Sequence, residues 1–164
     1  MNHTSVAVAA VALAAITGLG TARAATAGDV EAPSACRPAN HLAKITRDRA
    51  SSGRVHFRVT LTAPKGYAPC KLVGSPTDVA FANHGSPLDV RVGRYGGQTT
   101  VVTFGPGHPV HFDICVPNNG HGTPTDEASF TLRAPAGEIP GTSVAEGHFE
   151  VTTGTAIGPI QPGA

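Results

Sequence analysis

His111, Asp113 and Cys115 occupy every second position of one alternating run, and all three side-chain types can ligate a metal or handle a proton. On an extended strand this spacing places successive same-face side chains roughly 6 to 7 Å apart. Two of them, joined by a group from a neighbouring strand, could converge on Zn²⁺ or Cu²⁺. His148 and Glu150 have the same outward parity in a later run and are the candidates for that third group. The simpler account of all these residues is a solvated polar face. On it the chain holds no metal and no cofactor, and His111, Asp113, Cys115 and His148 stand as the alternative ligand set.

Other chemistries find less support. His84, Cys115 and His121 are the residue types of a blue-copper centre, but the sole methionine is Met1, so no axial thioether is available. The five residues between Cys115 and His121 also make a long ligand loop. No Gly-x-Ser-x-Gly elbow, His-Glu-x-x-His pair or phosphate-binding glycine loop occurs beyond the N-terminal region. Asp126 and Glu127 are adjacent in a Pro- and Thr-rich stretch that reads as a solvated loop. A glycosidase pair would need two carboxyls at a set separation on a rigid scaffold. His56, His84, His108 and His121 fall in turns or on wet faces. No catalytic or cofactor-binding residue is assigned, and the chain is expected not to be an enzyme.

The three cysteines are Cys36, Cys70 and Cys115. In an exported chain that means one disulfide and one cysteine left over. Cys115 lies in the run Val110, Phe112, Ile114, Val116, whose parity turns it away from the core. Cys36 with Cys70 is therefore the expected bridge, and Cys70 with Cys115 the alternative. A thiol on a wet face should label promptly and could link two copies of the chain.

The elements that must position these residues are strands. Val55, Phe57, Val59 and Leu61 alternate with His56, Arg58 and Thr60, the two-residue period of a sheet with one dry face. The run Val110 to Val116 repeats it. Shorter candidates are 42–47, 79–82, 88–92, 99–104, 129–133 and 148–152, separated by Gly, Pro, Asn and Ser clusters such as Asn83-His84-Gly85-Ser86 and Gly105-Pro106-Gly107. No stretch beyond the N-terminal region has a helical period capped at both ends. The expectation is a single immunoglobulin-like antiparallel β-sandwich of about eight strands over residues 36–153, with a closed barrel as alternative. Residues 25–35 read as a flexible lead-in and 154–164 as a loose Gly- and Pro-rich tail.

Val6 to Gly20 is an apolar run too short to anchor in a bilayer and of the right length for a signal-peptide core. It is followed by Ala22-Arg23-Ala24, an A-x-A cleavage site, and by a second at Ala25-Thr26-Ala27. Residues 1–24 are thus expected to be a signal peptide, leaving about 140 residues, enough for one domain with a core. Cys36 follows Pro33-Ser34-Ala35 rather than the residues that precede a lipid-modified cysteine. Removing Arg23 leaves 11 basic against 11 acidic residues, and no basic patch suited to nucleic acid is visible. The excess of Arg over Lys and the abundance of Ala, Gly and Pro fit a GC-rich genome.

With the strands placed, a set of spaced residues stands out: Cys36 and Leu42, then Cys70, Leu72, Gly74, Pro76 and Val79 in a Cys-x-Leu-x-Gly-x-Pro segment. Val102, Phe104, Pro106 and Gly107 follow, and Ile157-Gly158-Pro159-Ile160 near the end. In these residues the chain resembles the actinobacterial secreted family known as domain of unknown function 4232. Ser75 stands where the family usually has an aromatic residue, and the second, late cysteine pair of many members is missing. The resemblance implies a β-sandwich in the envelope or outside the cell, and no activity. The expected function is a secreted, non-catalytic module with an extracellular or cell-wall ligand that the sequence does not name.

Overall fold

A computed structural model describes residues 31–164. The expected signal peptide, and residues 25–30 of the lead-in, lie outside the described residues. Fourteen strands form among them: β1 Leu42–Arg47, β2 Arg54–Thr62, β3 Cys70–Val73, β4 Thr77–Asn83, β5 Ser86–Leu88, β6 Gly93–Arg94 and β7 Val101–Phe104, then β8 Val110–Pro117, β9 Thr123–Thr131, β10 Arg133–Ala134, β11 Gly137–Glu138, β12 Ser143–Val151, β13 Ala156–Ile157 and β14 Gln161–Pro162. A single 3₁₀ turn covers Pro38–Asn40.

The all-β expectation holds, and the strand pairing is richer than an antiparallel sandwich. A ten-stranded mixed sheet runs β5-β4-β9-β12-β1-β2-β8-β13-β6, with β14 also on β8. Two of its pairs, β1 with β12 and β13 with β6, are parallel. Small sheets β3-β7 and β10-β11 complete the chain. The large sheet curls. β8 and β9 are four strand steps apart in sheet order, about 19 Å if flat, yet the Phe112 and Phe130 rings meet edge to face at 5.0 Å.

The inward residues of β2 and β8 follow the two-residue period: Phe57, Val59, Leu61, Val110, Phe112, Ile114 and Val116 are all buried. They share one core with Leu72 of β3, Val102 and Phe104 of β7, Phe130 of β9 and Phe149 of β12. Each such side chain contributes about 1.5 to 3 kcal/mol by leaving water. The tight hairpin β4-β5 turns at His84 and Gly85, whose φ angles are 48° and 75°. That left-handed pair matches the twist of the strands it joins.

Three expectations change. Residues 154–164 are not a loose tail: Ala156 and Ile157 pair with Cys115 and Ile114, Gln161 and Pro162 pair with His111 and Val110, and Ile157 and Ile160 enter the core. Two isoleucines supply the apolar burial that a Gly/Pro-rich composition conceals. Residues 123–128, read as a solvated loop around Asp126 and Glu127, form the first part of β9 between β4 and β12. Residues 89–92 form no strand, and the short β5 ends at Leu88. The lead-in is anchored at its end, where Ala35 is buried and donates its backbone N–H to the Ala68 carbonyl, while the Ala68 N–H donates to the Pro33 carbonyl.

Cys36 and Cys70 form the disulfide, with Cα atoms 6.0 Å apart across 34 residues, and Cys115 is the free cysteine. Ser75 is fully buried. Its hydroxyl donates to the Ile157 carbonyl at 3.2 Å and accepts from Gln98 Nε2 at 3.0 Å, tying the C-terminal segment to the loop after β3.

Candidate functional site on the outer face of the sheet

The antiparallel register of β2 and β8 sets His56 opposite Cys115, Arg58 opposite Asp113 and Thr60 opposite His111. These side chains project away from the core by strand alternation, so the parity expected for Cys115 is observed. Their exposure is not as expected. The Cys115 thiol is 5% exposed and His111 9%, because β13 and β14 flank β8 and the Tyr95 segment lies alongside. A cysteine so covered is a poor partner for a chain-to-chain disulfide.

The cluster centres on His56. Its Nε2 lies 3.1 Å from Ser51 Oγ and 3.9 Å from Cys115 Sγ, while Nδ1 lies 3.9 Å from Asp113 Oδ2. The carboxylate on the Nδ1 side favours the tautomer protonated there, which leaves the Nε2 lone pair toward the hydroxyl and the thiol. Arg54 reaches the same sulfur, Nη1 to Sγ 3.9 Å, and donates to the Gly154 carbonyl at 3.3 Å. Behind them Arg58 pairs with Asp48 at 2.7 Å and approaches Asp113 at 3.7 Å. Tyr95 borders the cluster, and burial, with Asp113 and Cys115 nearby, pushes its phenol up to about 12, so the ring stays neutral. Cys115, His56, Arg54 and Tyr95 line an open hollow of about 450 Å³.

The expected metal ligands do not come together. His111 donates through Nδ1 to the Gly163 carbonyl at 3.1 Å. His148 and Glu150 sit on β12, with β1 and β2 between them and β8, so they are not neighbours of the His111, Asp113, Cys115 face. They line a different hollow of about 290 Å³, with Arg47 and Asn118. Among the described residues no group of three or more His, Cys, Asp or Glu is placed to hold a metal ion. The copper set fares no better: His84 pairs with Asp126 at 3.1 Å in the β4-β5 turn, and His121 is an exposed residue ahead of β9. His108 is exposed in the turn closed by its pairing with Gly105.

Asp126, for its part, caps the β4-β5 turn by accepting the His84 backbone N–H at 3.0 Å. His56, read as solvent-facing, is one-fifth exposed and holds the centre of the cluster. Two alternating strands announced an outer face on each, but only the register could pair His56 with Cys115. The other histidine missed is His41, buried beside Ala35 and Ser143. Comparison with protein families, curated proteins and solved structures finds no match for this chain.

Proposed function

We propose that the chain is an exported, disulfide-tied β-sandwich module that acts outside the cytoplasm by binding or scaffolding rather than by turnover. The observation that carries this is the Cys36–Cys70 disulfide, which joins the start of the domain to β3. Such a bond persists in oxidising surroundings and is rare where thiols are kept reduced. The apolar run at 6–20 and the A-x-A site after it supply a matching route of export. The sandwich reading draws on the way β3-β7 faces the curled sheet: Leu72, Val102 and Phe104 share a core with Phe112 and Phe130. The similarity to the family known as domain of unknown function 4232 rests on Cys70, Leu72, Gly74 and Pro76, and points to the same compartment. The non-catalytic reading is supported by where the polar groups go: His41, Ser75, His111 and Thr155 are engaged in bonds that hold backbone segments together.

A pull-down tests binding. The mature chain, and a variant carrying Cys115→Ser with His56→Ala, are incubated with cell-wall fraction and with culture supernatant. Equal retention of both on one fraction is the expected result. Retention of neither removes the binding role, and capture lost in the variant alone would show that retention runs through Cys115 and His56 rather than through a separate binding surface.

A further inference from the structure

The hollow beside Cys115 is basic. Arg54 and Arg94 bring positive charge to its lining, and no Asp or Glu lines it. Among the described residues neither Arg54 nor Arg94 is paired with a carboxylate. Asp113, the acid of the cluster, approaches His56 and Arg58 instead. A volume of about 450 Å³ lies within the range of small-molecule sites, and its charge suits an organic anion. A sulfur stands in its wall with a proton acceptor and a cation both 3.9 Å away.

We propose that this hollow is a thiol-exchange site, in which Cys115 forms a mixed disulfide with a small disulfide whose carboxylates are held by Arg54 and Arg94. His56 Nε2 takes the thiol proton, and the Cys115 sulfur attacks the nearer sulfur of R–S–S–R. The Cys115–S bond forms as the S–S bond breaks. The departing R–S⁻ carries away the bonding pair and recovers the proton from the imidazolium, so Cys115 is oxidised and half of the incoming disulfide is reduced. Arg54, close to the sulfur, stabilises the thiolate while it exists.

The geometry also selects the reagent. The thiol is 5% exposed, so attack takes place inside the hollow and a reagent must enter it. Tyr95 borders that space as a neutral ring and does not repel an anion. It fits there because Gly158 has no side chain: a Cβ at that position would stand 2.8 Å from the Tyr95 hydroxyl. The site does not depend on the binding role proposed above, and its test is independent of it.

The test uses the full mature chain with Cys36–Cys70 intact and three probes: oxidised glutathione, which carries carboxylates, neutral bis(2-hydroxyethyl) disulfide, and cationic cystamine. Adduct formation is followed by intact mass, located by peptide mapping, and each rate is divided by that of the urea-unfolded chain to remove intrinsic reactivity. Oxidised glutathione should modify Cys115 on the order of tenfold faster than cystamine at low ionic strength on this normalised scale. Arg54→Gln with Arg94→Gln should narrow that gap with an unchanged circular dichroism spectrum, and His56→Gln should slow glutathione addition. Cystamine reacting as fast as glutathione overturns the proposal. So does a folded chain in which Cys115 takes up no probe while the unfolded chain does; both results come from the unmutated protein and need no variant to fold.

Discussion

His41 is held as a neutral ring. Its Nδ1 is 3.0 Å from the Ala35 carbonyl and its Nε2 3.0 Å from Ser143 Oγ, with Phe104 edge-on at 5.6 Å. Burial lowers its pKa from 6.5 and outweighs the upward pull of hydrogen bonds with the Ala35 and Arg37 backbone. The unfolded chain therefore takes up this proton at a higher pH than the folded one. The stability that His41 contributes is complete above about pH 6.5 and falls as pH drops toward the folded value. Melting temperatures of the native chain and of His41→Gln, compared from about pH 7.5 to pH 5, should converge on acidification; a constant difference would mean that His41 does not titrate in this window.

The cysteines separate sharply at the same scale. Closing a loop of 34 residues stabilises the fold by about 3 to 4 kcal/mol through denatured-state entropy, an upper figure since residual structure reduces it. Cys115 crosslinks nothing, and replacing its buried thiol by a hydroxyl costs about 1 kcal/mol. Urea titration should place Cys70→Ser far below the native chain and Cys115→Ser close to it. Equal losses would assign Cys115 a structural weight that its contacts do not explain.

Among the elements, the C-terminal segment and the β1-β12 pair are the most exposed to test. Ile160 is 2% exposed, and Ile160→Ala should cost about 2 to 5 kcal/mol by transfer and cavity together. If 154–164 were a loose tail, the same substitution would leave the urea midpoint unmoved. Gly147 lies where β12 shifts register, and a Cβ there would collide with the Ile45 carbonyl oxygen and approach the Ile45 side chain to 2.8 Å. Since that obstacle includes backbone, Gly147→Ala should destabilise by about 1 to 3 kcal/mol as β1 is pushed off β12. A midpoint matching the native chain would show that β1 and β12 have room to spare.

Alternation of apolar residues made β2 and β8 legible, because a strand with one buried face writes its period directly into the chain. It could not reveal the start of β9, where Thr123, Pro124, Thr125, Asp126 and Glu127 carry no large apolar side chain. Nor could it reveal β13 and β14, whose anchors Ile157 and Ile160 are diluted by glycine and proline. The candidate site was half legible for a related reason. Parity assigned Cys115 and Asp113 to the outer face, but the partner across the strand is set by register, which depends on long-range packing. Hence His148 was paired with them in expectation and His56 in the fold.

At the scale of the whole molecule, export, crosslink and free thiol form one connected claim. A chain that crosses a membrane, loses residues 1–24 and folds in oxidising surroundings should carry Cys36–Cys70 as a disulfide. Cys115 should sit apart, reduced or capped by a small thiol. Intact-mass measurement and non-reducing peptide mapping of protein collected outside the producing cells test all of this in one experiment. The predicted result is a chain beginning between Ala25 and Gly28, with Cys36 linked to Cys70 and no link from Cys115 to another copy. A chain that stays in the cells with Met1 in place and all three cysteines reduced would contradict it.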